Sequence, residues 1–478
     1  MTTEIDSRPG VRLGSATGRW IVVACVLGSG IAAIDATVVN IALPDIGKDL
    51  HVGFADLQWT VTAYTLTLAS LILLGGSLGD RFGRRRVFVI GISWFAVASV
   101  ACAAAPDVHG LIAARAAQGI GGALLTPASL AIIQSTFADR DRARAIGTWS
   151  GFSGASAAIA PLLGGWLIQV GSWRWVFLIN PPLAVVVILI AMRRMPETRN
   201  EEAAGRIDVA GSALGVVGLG GLTAGIIAAS GRHLSSTSVW LPAAVGLVAL
   251  AAFIAVERRQ RQPMLPLNLF SSTQFSAANV VTLLLYGAIS GSLLLIVVEL
   301  QTVSGFSPLA AGTATLPVTV VMLLLAARFG ALGQRIGPRL PMAAGPIVCA
   351  GGLILVARLS PHASYVGDVL PALAIFGLGL AIFVAPLTAT VLAAAPASHA
   401  GIASGVNNAV ARAAALLAIA ALPVVVGLSG NAYTDAHRFL PAFRNAMWIC
   451  AGLMAAGGAV AALAIRNRPG MPVPAMTP

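Results

Sequence analysis

Asp35 lies inside an apolar stretch, Ala33–Pro44, that reads Ala-Ile-Asp-Ala-Thr-Val-Val-Asn-Ile-Ala-Leu-Pro. A carboxylate at the middle of a bilayer costs about 3 kcal/mol on insertion scales, so a chain keeps one there for a use. Burial disfavours the charged form, which equips such a group to take up and release a proton. A basic partner is available in Leu111-Ile-Ala-Ala-Arg-Ala-Ala-Gln-Gly-Ile-Gly-Gly-Ala. There Arg115, Gln118, Gly119 and Gly122 recur at i, i+3, i+4 and i+7 and so share one helix face. Small residues on that face let another helix come close. Asp35 precedes the outer end of its span by about 8 residues, roughly 12 Å, and Arg115 follows the outer end of its own by about 6, roughly 9 Å. The two can meet at similar depth, either to exchange protons or as a fixed structural ion pair. Proton exchange is the favoured reading.

Other polar groups in apolar surroundings are candidates for substrate contact or coupling. They are Asn40, Trp59, Tyr64, Gln118, Glu299 and Arg412. Trp59 also suits an interfacial anchor. Glu299 lies at the outer end of its span, and Arg412 is about 11 residues into its own, roughly 16 Å deep. A second kind of site is the segment Gly76–Arg86, in which Gly76, Asp80, Arg81, Gly83, Arg84 and Arg85 combine an acid, a glycine turn and a run of cations between two spans. Glycine permits the turn, and Asp80 and Arg81 can pair with groups on neighbouring helix ends. Further on, Gly147, Gly151, Gly154, Pro161, Gly164 and Gly165 mark a close-packing stripe. Pro161 leaves a carbonyl without its helical partner, which permits a hinge.

The elements that must hold these groups are membrane helices. Of the 478 residues, 57% are hydrophobic and only 10% charged, whereas soluble domains are about one quarter charged. The apolar stretches are continuous rather than alternating, which selects helices over a barrel. They lie near 20–43, 57–79, 87–105, 109–133, 144–170, 174–192, 207–230, 238–256, 275–300, 309–331, 340–360, 367–393, 401–428 and 444–465. The first is long enough to span and carries Asp35, so it reads as a retained helix rather than a cleaved signal peptide. Fourteen spans put both termini on one side. Arg84, Arg85, Arg86, Arg193, Arg194, Arg258, Arg259, Arg335 and Arg339 crowd the loops on that side, which makes it cytoplasmic. The net charge of +12 thus sets topology and does not point to nucleic acid.

Several function classes drop out. Cys25, Cys102, Cys349 and Cys450 lie in apolar stretches without CxxC spacing, so neither a metal site nor a disulfide framework is expected. There is no Walker A loop and no HExxH. Gly75-Gly-Ser-Leu-Gly fits the esterase pattern G-x-S-x-G, but it ends a membrane helix instead of a strand.

An internal repeat is legible. Gly76-Ser-Leu-Gly-Asp-Arg-Phe-Gly-Arg-Arg returns 254 residues later as Gly330-Ala-Leu-Gly-Gln-Arg-Ile-Gly-Pro-Arg, with Gln334 in place of Asp80. Gly119-Ile-Gly with Pro127 is echoed by Gly377-Leu-Gly with Pro386. The expected organisation is a cytoplasmic tail (1–19), a six-helix bundle (20–192), a cytoplasmic loop (193–206), two inserted helices (207–256), a second loop (257–274), a second six-helix bundle (275–465) and a tail (466–478). Repeated halves of this kind underlie alternating access.

With these motifs in order, the chain resembles the major facilitator superfamily, and more closely its fourteen-span drug/proton antiporters. Gly76–Arg86 resembles the family's loop after span two and Leu111–Ala123 its span-four arginine motif. Asp35–Pro44 resembles the first-span signature of those exporters, and Trp173-Arg-Trp-Val-Phe-Leu-Ile-Asn-Pro-Pro the start of their sixth span. In span five the family has Gly-Pro where this chain has Ala160-Pro161. The resemblance implies an all-α protein of two pseudo-symmetric bundles in the plasma membrane. It implies proton coupling through Asp35 and Arg115, a cytoplasmic lock at Asp80 and its arginines, and two middle helices outside the transport core. The resulting expectation is a proton-driven exporter of amphipathic drugs or toxic compounds. Its partners would be small molecules, protons and lipid, its energy source the proton gradient without a cofactor, and a monomer its simplest assembly. A dedicated exporter of one lipid or natural product, an importer, and a membrane-embedded sensor or enzyme are the alternatives.

Overall fold

The computed structural model describes the chain except residues 1–10, 200–207, 231–235, 261–264, 266, 362, 396–399, 431 and 468–478. Of residues 139–140, 143, 150–158, 400 and 401 only the backbone is described. The outermost parts of both tails and the second half of the 193–206 loop therefore fall outside the described residues. Two compact units emerge: Met1–Met264 with the short segments Phe306–Thr313 and Ser429–Asn431, and Leu265–Gly305 with Ala314–Leu428 and Ala432–Pro478.

The first unit contains α1 (Ala16–Leu50), α2 (Phe54–Phe82), α3 (Arg84–Ala104), α4 (Val108–Thr136), α5 (Asp139–Val170), α6 (Trp175–Leu178), α7 (Asn180–Arg194), α8 (Val209–Ala228) and α9 (Thr237–Arg259). Side-chain caps start three of them: Ser15 accepts the Gly18 N–H, Asp107 that of Gly110 and Asp208 that of Gly211. Helix α1 ends at His51 in the left-handed conformation (φ 53°). Its 35 residues amount to about 52 Å, well beyond the roughly 30 Å of a hydrocarbon core. The break between α6 and α7 falls where Pro181 and Pro182 remove two successive N–H donors, and it sets Asn180 at the start of α7.

The second unit contains α10 (Thr273–Thr302), α12 (Leu316–Ile336), α13 (Arg339–Val356), α14 (Leu370–Ala393), α15 (Ala400–Val425) and α16 (Ala436–Ala464). The short α11 (Pro308–Ala314) leads into α12. Among the described residues there is no sheet, only one isolated bridge between Val11 and Phe137. Among the described residues, thirteen helices or near-continuous helix pairs are long and apolar enough to cross a membrane. Helix α5 falls short, with Ile159–Val170 as its described apolar part. Large apolar side chains lie bare on the outer surfaces, among them Val97, Leu247, Val248, Leu324 and Leu463. Such surfaces suit acyl chains rather than water.

The internal repeat shows in the packing. In the first unit α3 and α4 touch so closely that a Cβ on Gly121 would lie 2.9 Å from the Gly91 carbonyl oxygen. In the second, α13 and α14 meet at Gly345 and Gly379, where a Cβ on Gly379 would lie 2.6 Å from the Gly345 oxygen. The middle helices α8 and α9 pair through glycines as well, and α8 also packs on α2. A Cβ on Gly221 would stand 2.6 Å from the Pro242 oxygen, while nothing lies within 4 Å of one on Gly215. Gly221→Ala is therefore expected to cost about 1–3 kcal/mol through overpacking. Gly215→Ala should be neutral or gain up to about 1 kcal/mol of helix propensity. Thermal unfolding of the two detergent-solubilised variants checks the contrast.

Candidate functional site

Asp35 and Arg115 meet in the interior of the first unit, each 1% exposed. Arg115 Nη1 donates to Asp35 Oδ2 at 2.5 Å and to Gln118 Oε1 at 2.6 Å. Its Nε donates to the Thr60 carbonyl at 3.1 Å. The guanidinium carbon sits 4.3 Å from the Tyr64 ring centroid and 5.8 Å from that of Phe177. The cation is thus held by one carboxylate, an amide, a carbonyl and two aromatic faces, as a buried charge requires.

The other carboxylate oxygen is held by amides. Asp35 Oδ1 accepts from Gln118 Nε2 at 2.8 Å and from Asn180 Nδ2 at 3.2 Å. Both amide nitrogens also donate to Ser99 Oγ, at 2.8 and 3.2 Å, and the Ser99 hydroxyl donates to the Phe95 carbonyl at 2.8 Å. The Cys102 thiol points at Gln118 Oε1 from 3.6 Å. Asn180 Oδ1 is buried and has no hydrogen-bond partner. Helices α1, α2, α3, α4, α6 and α7 all contribute. A proton on Asp35 neutralises the partner of Arg115 and strands a buried cation, so protonation and the intact pair exclude each other.

Of the residues expected from sequence, Asp35, Arg115, Gln118 and Tyr64 come together here. Trp59 is half-buried beside Thr60 and Asn40 lies more than a turn along α1; neither joins the network. Glu299 and Arg412 belong to the second unit. There Glu299 is fully buried, and the charge of Arg412 reaches the phenol of Tyr286. Ser99, Asn180, Thr60 and Phe177 were not anticipated. An asparagine within an apolar run was the available signal for Asn180, because the amide is costly there.

The segment Gly76–Arg86 differs in shape from the expected loop. Helix α2 continues through Phe82 and α3 begins at Arg84, so the turn is Gly83 alone, at φ 107°. That backbone conformation favours glycine. Asp80 pairs with Arg84 at the start of the neighbouring helix; the Arg84 Nε and Nη2 both donate to Oδ1, at 2.8 and 2.7 Å. Arg81 lies over Phe82. Gly76 approaches Pro127. An unanticipated acid, Glu197, accepts the Arg85 N–H at 3.0 Å and lies 3.6 Å from Arg85 Nε and 3.8 Å from Arg86 Nε. A carboxylate at this helix start is favoured by the exposed N–H groups and the helix dipole.

On α5, Pro161 sits within an unbroken helix. A Cβ on Gly164 would meet Val38 at 2.6 Å, and one on Gly165 would meet the Leu309 backbone at 2.5 Å. A Cβ on Gly147 would meet nothing within 4 Å among the described residues, so no close packing there requires the glycine. Gly151 and Gly154 lie in the stretch whose packing falls outside the described residues.

Comparison with known proteins places this architecture. The model of the Major Facilitator Superfamily matches residues 25–419. The chain belongs to the Major Facilitator Superfamily. It is 35% identical over 422 residues to the multidrug resistance protein Stp of Mycobacterium tuberculosis, covering 87% of this chain and 77% of that one. It is 33% identical over 442 residues to the tetracenomycin C resistance and export protein of Streptomyces glaucescens, covering 91% and 82%. Its fold matches the crystal structure of a bacterial homolog to the human lysosomal transporter Spinster, with TM-score 0.67 and 16% identity over 94% of this chain and 97% of that one. As a Major Facilitator Superfamily protein the chain is a multi-span membrane transporter and not an enzyme.

Stability of the pair can be tested apart from transport. Arg115→Met leaves the Asp35 carboxylate buried without its cation and is expected to cost about 3–5 kcal/mol. Adding Asp35→Asn should recover part of that loss. A double-mutant cycle of denaturation midpoints checks this, and strictly additive losses would show that the two side chains are not coupled.

Proposed function

We propose that the chain exports amphipathic drugs or other toxic compounds in exchange for protons, by alternating access. The observation that carries this reading is the buried Asp35–Arg115 pair with its amide shell, which makes proton binding and the ion pair alternatives. Two relatives support the substrate class, since one is named for multidrug resistance and the other for resistance and export.

In this cycle Asp35, open to the acidic outside, takes a proton and substrate leaves. Open to the cytoplasm, it loses that proton as new substrate enters and re-forms its bond to Arg115. The proton gradient is the energy source, and no cofactor takes part. Asp80 with Arg84, and Glu197 with Arg85, hold the cytoplasmic end of α2 and α3 in one of the two states. Helix α5, 32 residues long, serves as the fourteenth span and bends at Pro161. Residues 20–192 and 275–465 form the two transport bundles, with α8 and α9 inserted between them. The arginine-rich loops place both termini in the cytoplasm of a cell whose plasma membrane holds the protein.

Proton release from energised inverted membrane vesicles tests the proposal, with lipophilic cations, neutral drugs and anions added in turn. The wild type is expected to respond to several of them, and Asp35→Asn, inserted at equal level, to none. Proton-driven efflux retained by Asp35→Asn would overturn the coupling role. Silence across the panel in the wild type would move the reading to a dedicated exporter of one lipid or natural product.

A further inference from the structure

The second unit holds an acid that the Asp35 cycle does not use. Glu299 lies near the end of α10 and is fully buried. Its Oε1 accepts the Ser304 hydroxyl at 2.9 Å, and its Oε2 is buried with no hydrogen-bond partner. A carboxylate so placed has one neutral donor for its two oxygens, and its second oxygen is buried without compensation.

The internal repeat sharpens the point. The 254-residue offset that carries Gly76 to Gly330 also carries His51 to Gly305. Both are left-handed residues just past a helix end, at φ 53° and 70°. The same offset carries Asp45 to Glu299 and Lys48 to Thr302. In the first unit, then, the acid is half-buried and the charge of Lys48 acts on it from one turn away. In the second, the acid is longer and wholly buried, and the cation is replaced by a threonine whose hydroxyl donates to the Val298 carbonyl.

Among the described residues, the elements that pack closely on α10 supply no substitute charge. Helix α10 packs on α13, α14, α15, α16 and the turns at Leu267–Ser271 and Ala432–Thr434. The groups these elements carry that can hold or lose charge are Arg339 and Cys349 on α13, Arg412 on α15, Tyr433 in the second turn, and His437, Arg438, Arg444 and Cys450 on α16. Among the described residues none of them forms an ion pair or hydrogen bond with Glu299. Arg438 pairs with Asp435, Arg444 donates to the Leu359 carbonyl and Arg339 to that of Ala462.

We propose that Glu299 is a second proton-exchanging site, in the second unit, loaded and emptied from the end of α10 where the chain turns through Ser304 and Gly305. It rests on the reading that this transporter exchanges protons, and it adds a second carboxyl to the exchange. Asp35 discharges its proton against Arg115, whereas Glu299 has no resident cation and loses its proton only when that helix end meets water or a cationic substrate.

Dicyclohexylcarbodiimide tests this without a known substrate, because it adds to buried protonated carboxyls to give a stable N-acylurea. The full-length chain in native membranes is treated at a series of pH values, and the peptide carrying residue 299 is followed by mass spectrometry. The expected result is modification of Glu299 that declines steadily as pH rises and is absent in Glu299→Gln. Ser304→Ala keeps the acid and should keep the decline, which a purely structural hydrogen bond would not require. Failure of Glu299 to react at any pH, while the same residue reacts in the detergent-unfolded chain, would overturn the proposal, as would equal modification at every pH. The Asp35→Asn membranes are run in parallel. Loss of the Asp35 reading in the vesicle assay leaves the Glu299 titration intact, so the two proposals fail separately.

Discussion

A full charge pair sealed from water, Arg115 with Asp35, constrains the first unit more than any other contact. Neither ion is tolerable alone in such surroundings, and together they are tolerable only if the leftover donors and lone pairs are also met. Meeting them draws in Gln118 from the same helix, Asn180 from α7, Ser99 from α3 and a carbonyl of α2. Those groups converge only if the helices stand close, and glycine makes room. The face of α4 that carries Arg115 also presents Gly119 against the Tyr64 carbonyl and Gly122, where a Cβ would lie 2.8 Å from Leu68. Polar chemistry and small-residue packing are two demands on one helix face.

In the proposed cycle a proton acts on a whole helix through this pair. Neutralising Asp35 weakens the bonds that tie α1 to α4 and α7 at one point, and the freed guanidinium must find another partner or water. The amide shell is suited to both states, since an amide can donate to a carboxylate and accept from a carboxylic acid. Asn180 already has an unpartnered oxygen beside the carboxyl it serves.

Much of this was legible in the sequence because period and cost are local properties. A run of apolar residues announces a span, and an ion within it announces a use. The depth argument from helix rise brought Asp35 and Arg115 to the same level without knowledge of how the helices face. Helix ends were less legible: α2 runs on through Phe82 and α3 starts at Arg84, with the Asp80–Arg84 pair bridging the single-residue turn at Gly83, where composition alone read as a loop. Ser99 and Glu197 were invisible for a different reason. Their roles depend on how one helix is rotated against another, or on where a strap after α7 happens to lie, and no pattern within a single segment records that.

The repeat supplies an internal control on what the buried pair is for. Glycine contacts align α14 with α4, so that Gly377 answers to Gly119, Leu373 to Arg115 and Phe376 to Gln118. Leu373 and Phe376 are fully buried, and Ile289 stands where the offset of the first helix would put Asp35. The same kind of bundle is therefore packed in the second unit with hydrocarbon at these positions. Replacing a buried ion pair by well-packed hydrophobic groups is often neutral or stabilising. The second unit is a working example of that substitution within the same chain, so packing does not demand the pair in the first. The cytoplasmic turns make the same contrast. The Arg85 N–H beside Gly83 is capped by the Glu197 carboxylate, while its counterpart, the Arg339 N–H beside Gly337, is capped at 3.1 Å by the neutral Asn467. The first unit thus carries an ion pair at positions that the second fills with hydrocarbon, while the second keeps its own charged groups, Glu299 and Arg412, elsewhere.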